Sequence, residues 1–224
     1  LETPGVRLQM STADDRLYVA DSEGGLLIFD VSEPSAPVEV GSIPYPYGAE
    51  GVASSGVLVY VTAGGALHVV DATDPAAPVT LGSTTGVTLR GAVELTGSLA
   101  VTFQPLIWNA YNEAVVDVSD PTAPVAVGFF GGFVFMNPHA ASGSLVVEGG
   151  YNELNVFDLT TPSSPVLVGW MSPAVRVFFV TGYLGALTTF STYALETVGA
   201  VEAEDRAGAL LNAAANNLLG LGLV

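Results

Sequence analysis

Acidic side chains recur along this chain at a spacing that could serve a metal ion. Asp30 is followed three residues on by Glu33, Asp71 by Asp74 and Asp117 by Asp120. Calcium loops place carboxylates this closely because the ion needs several oxygen ligands at once. The fourth member of the series, Asp158, has Thr161 in that place, and a shared ligand set would not lose a member so freely. Each of the four Asp residues is also followed at two positions by Ser or Thr and at four by Pro. A carboxylate and a hydroxyl so placed accept hydrogen bonds from turn N–H groups, and the proline presets the turn dihedral. Turn capping is therefore the reading adopted, and no metal or cofactor is expected. His68 and His139 are the only histidines and cysteine is absent, so neither a His-rich zinc site nor a disulfide can be built.

A second set of polar residues stands near the starts of the segments expected to face a central channel: Glu50, Arg90, Asn137, His139 and Arg176. Acid, base and cation meeting at one channel mouth could hold a small anion or a carbohydrate, or in principle exchange protons. A hydrolase or lyase there would need Glu50, His139 and an arginine within hydrogen-bond reach of one another. Polar linings that are simply solvated and paired are ordinary, so no catalytic residue is assigned and the protein is read as a non-enzyme. His68 is read as a tolerated polar position within a strand.

The elements that position these groups follow from a repeated phrase. Asp is followed by Ser or Thr at plus two, Pro at plus four and plus seven, Val at plus eight and Gly at plus eleven. It runs from Asp30 to Gly41, Asp71 to Gly82, Asp117 to Gly128 and Asp158 to Gly169, with Asp spacings of 71−30 = 41, 117−71 = 46 and 158−117 = 41. A period in this range marks stacked supersecondary units. The first unit reads as four short strands: Val6 to Met10, Leu17 to Ala20, Leu26 to Phe29 and Val38 to Val40. Four strands per unit of about forty residues predict a propeller blade. The third strand, apolar on both faces, belongs between neighbouring blades. The second proline opens the outermost strand, where its missing N–H has no ladder partner to disappoint. The glycine is expected to let the chain leave that strand and cross to the next blade.

These residues resemble the LVIVD-repeat family, through Leu27-Ile28-Phe29-Asp30, Val69-Val70-Asp71, Val115-Val116-Asp117 and Val156-Phe157-Asp158 with the phrase that follows each. The resemblance covers roughly residues 6 to 185. It implies a β-propeller of bacterial or archaeal proteins, mostly exported or surface-attached, and implies no shared activity. The expectation is an all-β propeller of about five blades, four regular and one degenerate, with a short C-terminal helix. Blade limits are about 5–43, 44–84, 85–130, 131–171 and 172–201, and residues 202–224 form the apolar tail.

Propeller geometry sends second-to-third strand loops and blade-to-blade loops to one face, opposite the Asp turns. On that face fall Tyr45-Pro46-Tyr47, Phe129 to Phe133, Trp170-Met171 and the long loop from Gln104 to Asn112. Tyr45, Tyr47, Trp108, Tyr111, Phe130 and Trp170 are therefore the candidate partner-binding residues, aromatic rings being enriched at interface centres and in pockets. The competing reading is that the Phe cluster folds inward and plugs the core. A carbohydrate binder would instead set Trp108, Tyr111 and Trp170 around a pocket beside the channel polar groups.

Half of the 224 residues are apolar, and 26 Gly with 14 Pro punctuate them, a composition suited to many strands and turns. The net charge of −17 repels phosphate backbones, so nucleic-acid binding is excluded as a reading. Leu210, Leu211, Ala214, Leu218 and Leu221 recur at helical intervals in the tail. Asn212, Asn216 and Asn217 argue against membrane insertion, leaving docking on the propeller, on another subunit or peripherally on a membrane. The expected role is a structural or binding subunit that self-assembles or meets a protein partner, in an extracellular, cell-surface or periplasmic setting.

Overall fold

Short runs of Val, Leu, Ile and Phe, divided by tight turns, pair into four antiparallel sheets in the computed structural model, which describes residues 3–106, 111–134, 139–149 and 154–171. Blade 1 holds β1 (Arg7–Ala13), β2 (Arg16–Asp21), β3 (Gly25–Asp30) and β4 (Val38–Ile43). Blade 2 holds β5 (Ala49–Ser55), β6 (Leu58–Ala63), β7 (Ala66–Asp71) and β8 (Val79–Ser83). Blade 3 holds β9 (Arg90–Thr96), β10 (Leu99–Pro105), β11 (Tyr111–Asp117) and β12 (Val125–Val134). Blade 4 holds β13 (His139–Ser142), β14 (Leu145–Gly149), β15 (Leu154–Asp158) and β16 (Val166–Met171). Each sheet runs in sequence order from its first strand to its fourth, which is the up-and-down order of a propeller blade. The chain divides into two compact units, Leu1–Trp170 and Met171–Val224. The expected fifth blade at 172–201 and the tail helix at 202–224 lie outside the described residues.

The core sits between blades. Tyr18, Leu26 and Ile28 of blade 1 pack with Val52, Val59, Val61 and Val70 of blade 2. Tyr60, Leu67 and Val69 then pack with Val93, Ala100, Ala114 and Val116 of blade 3, and Val101, Val115 and Phe130 with Val146 and Phe157 of blade 4. Third strands serve two interfaces at once, which is why Leu26 to Phe29 and Glu113 to Val116 are buried without a break.

The Asp turns are capped as the composition predicts. Ser32, Thr73, Ser119 and Thr160 each donate a backbone N–H to the preceding Asp at 2.8–2.9 Å. The hydroxyls of Ser32, Thr73 and Thr160 donate to the same carboxylates at 2.6 Å. The plus-three acids cap as well: Asp120 accepts from the Thr122 N–H and Asp74 from the Ala76 N–H. These bonds favour the charged carboxylate, so Asp30, bonded by Ser32 and then Arg16, is lowered to about 2. Asp71, Asp117 and Asp158 are lowered for the same reason.

The plus-eleven glycine has a different duty from the one expected. Gly41, Gly82 and Gly128 lie inside β4, β8 and β12 rather than at an exit. A side chain there would collide with the next blade's Asp turn: Gly41 with the Pro75 carbonyl, Gly82 with that of Thr122, Gly128 with that of Pro162. In the first three blades a register shift immediately precedes this glycine, between Ile28 and Phe29, Val69 and Val70, and Val115 and Val116 on the neighbouring strand. Such a bulge bends the outer strand, here at the point where the next blade's turn lies against it.

At the hub, Gln9 of β1 joins three blades. Its Oε1 accepts from the Val52 N–H at 3.0 Å and the Val93 N–H at 2.9 Å, and its Nε2 donates to the Val93 carbonyl at 3.0 Å. First strands have no ladder partner on their inner edge, and this one amide satisfies part of that need.

Two substitutions separate capping from interlock. Asp117→Ala removes turn hydrogen bonds only and is expected to cost about 1 kcal/mol in urea unfolding. Gly82→Val forces blades 2 and 3 apart and is expected to cost more, about 2–3 kcal/mol, the range of overpacking strain. Equal effects would remove the distinction between the two roles.

Candidate functional site

The loops opposite the Asp turns build one recess. Its cavity, 280 Å3, is lined by Tyr47, Glu50, Gly64, Gly65, Thr88, Arg90 and Pro105. Tyr47 comes from the β4–β5 connection, Glu50 from the start of β5, Thr88 from the β8–β9 connection, Arg90 from the start of β9 and Pro105 from the end of β10. Gly64 and Gly65 form a two-residue hairpin turn with φ of +58° and +85°, a conformation that favours glycine at both positions. The Leu89 N–H donates to the Gly65 carbonyl at 2.8 Å, tying the hairpin to the blade-to-blade connection.

The electrostatics of the recess are internally balanced. Arg90 Nε donates to Glu50 Oε1 at 2.9 Å, and Glu50 Oε2 accepts from the Gly91 N–H at 3.0 Å. The carboxylate thus bridges blades 2 and 3 and has its charge met on both oxygens. The Arg90 side chain is half exposed and keeps donors toward solvent, while Tyr47, 82% exposed, stands as an aromatic lip. Such a lining offers hydrogen-bond donors and a ring face. At about the lower bound of ordinary ligand pockets, it admits one ring or one side chain.

Of the expected channel residues, the structure brings Glu50 and Arg90 together and turns His139 away. The His139 side chain is fully buried, its Nδ1 3.4 Å from Glu113 Oε1 in the blade 3–blade 4 interface. It therefore does not line an open channel, because β13 directs this position into the interface. Asn137 and Arg176 lie outside the described residues.

The aromatic set separates in the same way. Tyr47 reaches the recess. Tyr45 instead lies over the core between blades 1 and 2, its ring 4.8 Å from His68, and burial pushes its phenol up. Phe130 is 6% exposed and packs on Phe157 at 4.6 Å, so it is a core residue and no partner contact. The reason is that β12 continues through residues 129–134, which makes this stretch strand rather than loop. Tyr111 stands edge-on to Phe103 at 6.3 Å, within β11. Trp170 is 67% exposed but lies on the outer strand β16 rather than in a connection. Trp108 lies outside the described residues. His68 Nε2 donates a 3.1 Å bond to the Ala63 carbonyl, and burial pushes its imidazole down. Gln9 escaped the sequence reading, since a lone Gln on an expected strand gives no signal of its hub position.

Comparison with known proteins adds two families. The LVIVD repeat model matches residues 13–44 and 48–85. The model for CrcB-like protein, Camphor Resistance (CrcB), matches residues 77–224, two thirds of the chain, and its span crosses β8 to β16, which fold here as propeller strands. A fluoride-specific ion channel from Symbiobacterium thermophilum is 45% identical over 53 residues, 24% of this chain and 43% of that protein. One from Nitratidesulfovibrio vulgaris is 41% identical over 54 residues, 24% of this chain and 44% of that protein. The chain thus spans less than half the length of either channel. A crystal structure of a protein from Lactobacillus plantarum aligns over 74% of this chain and 55% of its own, with a TM-score of 0.59 at 15% identity, a likeness of fold alone.

The sequence reading did not foresee the channel similarity. The Asp phrase ends after Gly169, and the nineteen residues from Val177 to Leu195 carry no charged side chain (195−177+1 = 19). With repeats and family model both matched, the chain carries LVIVD repeats over 13–44 and 48–85 and, over residues 77–224, belongs to the CrcB-like protein family.

Proposed function

We propose that this protein is a non-catalytic binding subunit of an exported or cell-surface assembly. Its propeller takes a protein partner at the loop face around Tyr47, and the segment from Met171 onward holds it at a membrane. The observation that carries the partner reading is the recess itself. An exposed tyrosine beside a half-exposed arginine, over a cavity sized for one side chain, has the make-up of an interface anchor pocket. Among the described residues of the lining, the one carboxylate, Glu50, is committed to Arg90 and the Gly91 N–H, which favours binding over proton transfer. Among the described residues no helix is long and apolar enough to cross a membrane. The membrane reading rests instead on the uncharged stretch Val177–Leu195 and on the similarity to channel proteins. It departs from the expectation of a docked or peripheral tail.

A second reading is favoured by the 45% identity to a fluoride-specific ion channel. The unit Met171–Val224 has 224−171+1 = 54 residues, the length of the matched stretches. We assign the similarity to that unit, which would then supply part of an anion-conducting path. The rest would come from another copy or another polypeptide, since less than half of the channel's length is matched.

Replacing Tyr47 with Ala, alone and with Arg90→Ala, is expected to weaken association at least tenfold, the order of about 2 kcal/mol for a pocket anchor. Light scattering and co-purification from the native source measure this, with the urea midpoint unchanged. Undiminished assembly would reject the loop-face site, and retention of only a soluble glycan ligand would move the reading to carbohydrate binding. Separately, liposomes holding the full chain are expected to release fluoride faster than chloride at a fluoride electrode. Release no faster than from protein-free vesicles would confine the second unit to anchoring.

A further inference from the structure

The interface between blades 3 and 4 carries ionisable side chains where the other interfaces carry hydrocarbon. Counted back from the repeat Asp, Glu113 holds the place of Leu26 and Leu67, both fully buried. Counted from the first hairpin of each blade, His139 holds the place of Val52 and Val93, also fully buried. Glu148 stands opposite His139 across β13 and β14, as Val61 stands opposite Val52 across β5 and β6. Hydrocarbon packs without cost at these positions, so the change to two acids and an imidazole calls for a physical account.

The geometry makes the three a single cluster. Glu113 and His139 have no exposed side-chain surface, and their 3.4 Å separation is that of a buried ion pair just outside good hydrogen-bond distance. From β15, Asn155 Nδ2 donates to Glu148 Oε1 at 3.2 Å. From β10, the Phe103 ring meets His139 edge-on at 4.9 Å. From β12, Phe130 stands opposite Glu113 in the strand pair, and from β9 the charge of Glu94 acts on His139. Among the described residues, the imidazole is thus surrounded by the acids Glu113, Glu148 and Glu94, the Val101 backbone and the Phe103 ring.

We propose that Glu113 and His139 form a proton-operated clasp between blades 3 and 4, closed when His139 is the imidazolium and loosened when the proton leaves. Burial opposes the charge on His139, but the negative charge of Glu113 beside it, aided by Glu94 and the Val101 backbone, outweighs it, and the imidazole is held above its ordinary value. Burial raises Glu113 too, against the pull of His139. Both groups bind protons more tightly in the folded state. The stabilisation from His139 is complete below the ordinary imidazole value and is lost as pH rises through the higher folded one, whereas that from Glu113 is complete only below the ordinary carboxyl value and is lost as pH rises through its own raised one. Above it, a buried carboxylate is left without its cation, the costly half of a broken pair.

Hydrogen exchange of the full chain, followed by mass spectrometry at about pH 5.5 and about pH 9 and corrected for intrinsic rates, tests this. Amides of β14 and β15 are expected to lose protection by about tenfold or more at the higher pH, while β6 and β7 do not. The double substitution Glu113→Leu with His139→Val, restoring the hydrocarbon of the other blades, is expected to fold and to abolish the difference. Glu113→Gln carries the same test should the double variant not fold. Equal protection of β14 and β15 at both pH values, or a response that persists in the variants, would overturn the proposal.

Discussion

Where Gly41, Gly82 and Gly128 face the carbonyls of Pro75, Thr122 and Pro162, the distance between blades is set by backbone against backbone rather than by side chains. No Cβ stands in the gap, so the turn of one blade can rest on the outer strand of the one before. That turn in turn holds its shape because an Asp carboxylate accepts from the N–H two residues on. Capping, bulge and glycine are therefore one device repeated, and the apolar strands behind it need to be only five to seven residues long in blades 1 and 2. The third strands are then fixed between two neighbours, where Val, Leu and Phe supply most of the burial.

The same device explains where recognition can occur. The Asp turns share their end of the blade with the first hairpins, since Val31, Ala72, Val118 and Leu159 donate to the carbonyls of Asp15, Val57, Ser98 and Ser144. That end is occupied by structural hydrogen bonding. The opposite end is free to vary, and there the Glu50–Arg90 pair spans blades 2 and 3 beneath the exposed Tyr47. Gln9 supports this arrangement from the hub by holding Val52 and Val93, residues just inside the two strands that carry Glu50 and Arg90.

Much of the architecture was legible because repetition averages out the ambiguity of any one segment. One Asp-x-Ser-x-Pro run is a turn; four at near-equal spacing define a blade. The same averaging misled on the glycine, since sequence shows that a position must lack a side chain without showing what approaches it. Site residues were legible where strand starts fix direction, as for Glu50 and Arg90. They were not legible where a strand ran longer than its apolar pattern, as with Phe130 in β12. His139 was placed on the right strand but aimed wrongly, because its partner Glu113 lies 26 residues away (139−113 = 26), at a position the sequence pattern did not single out. The similarity to channel proteins was not foreseen, and the uncharged stretch from Val177 to Leu195 was read as part of a degenerate blade.

Blades 1 to 4 are held together by backbone contacts at the glycines and by the apolar strands behind them. On the function proposed above, the CrcB-like segment would hold these blades at a membrane. Everything in this account depends on blades coupled through the glycine contact. Blade-resolved hydrogen exchange in a Gly82→Val variant measures that coupling directly. The account predicts loss of protection on both sides of the contact, in β6 and β7 and equally in β10 and β11. Loss confined to β8, with β10 and β11 as protected as before, would contradict it.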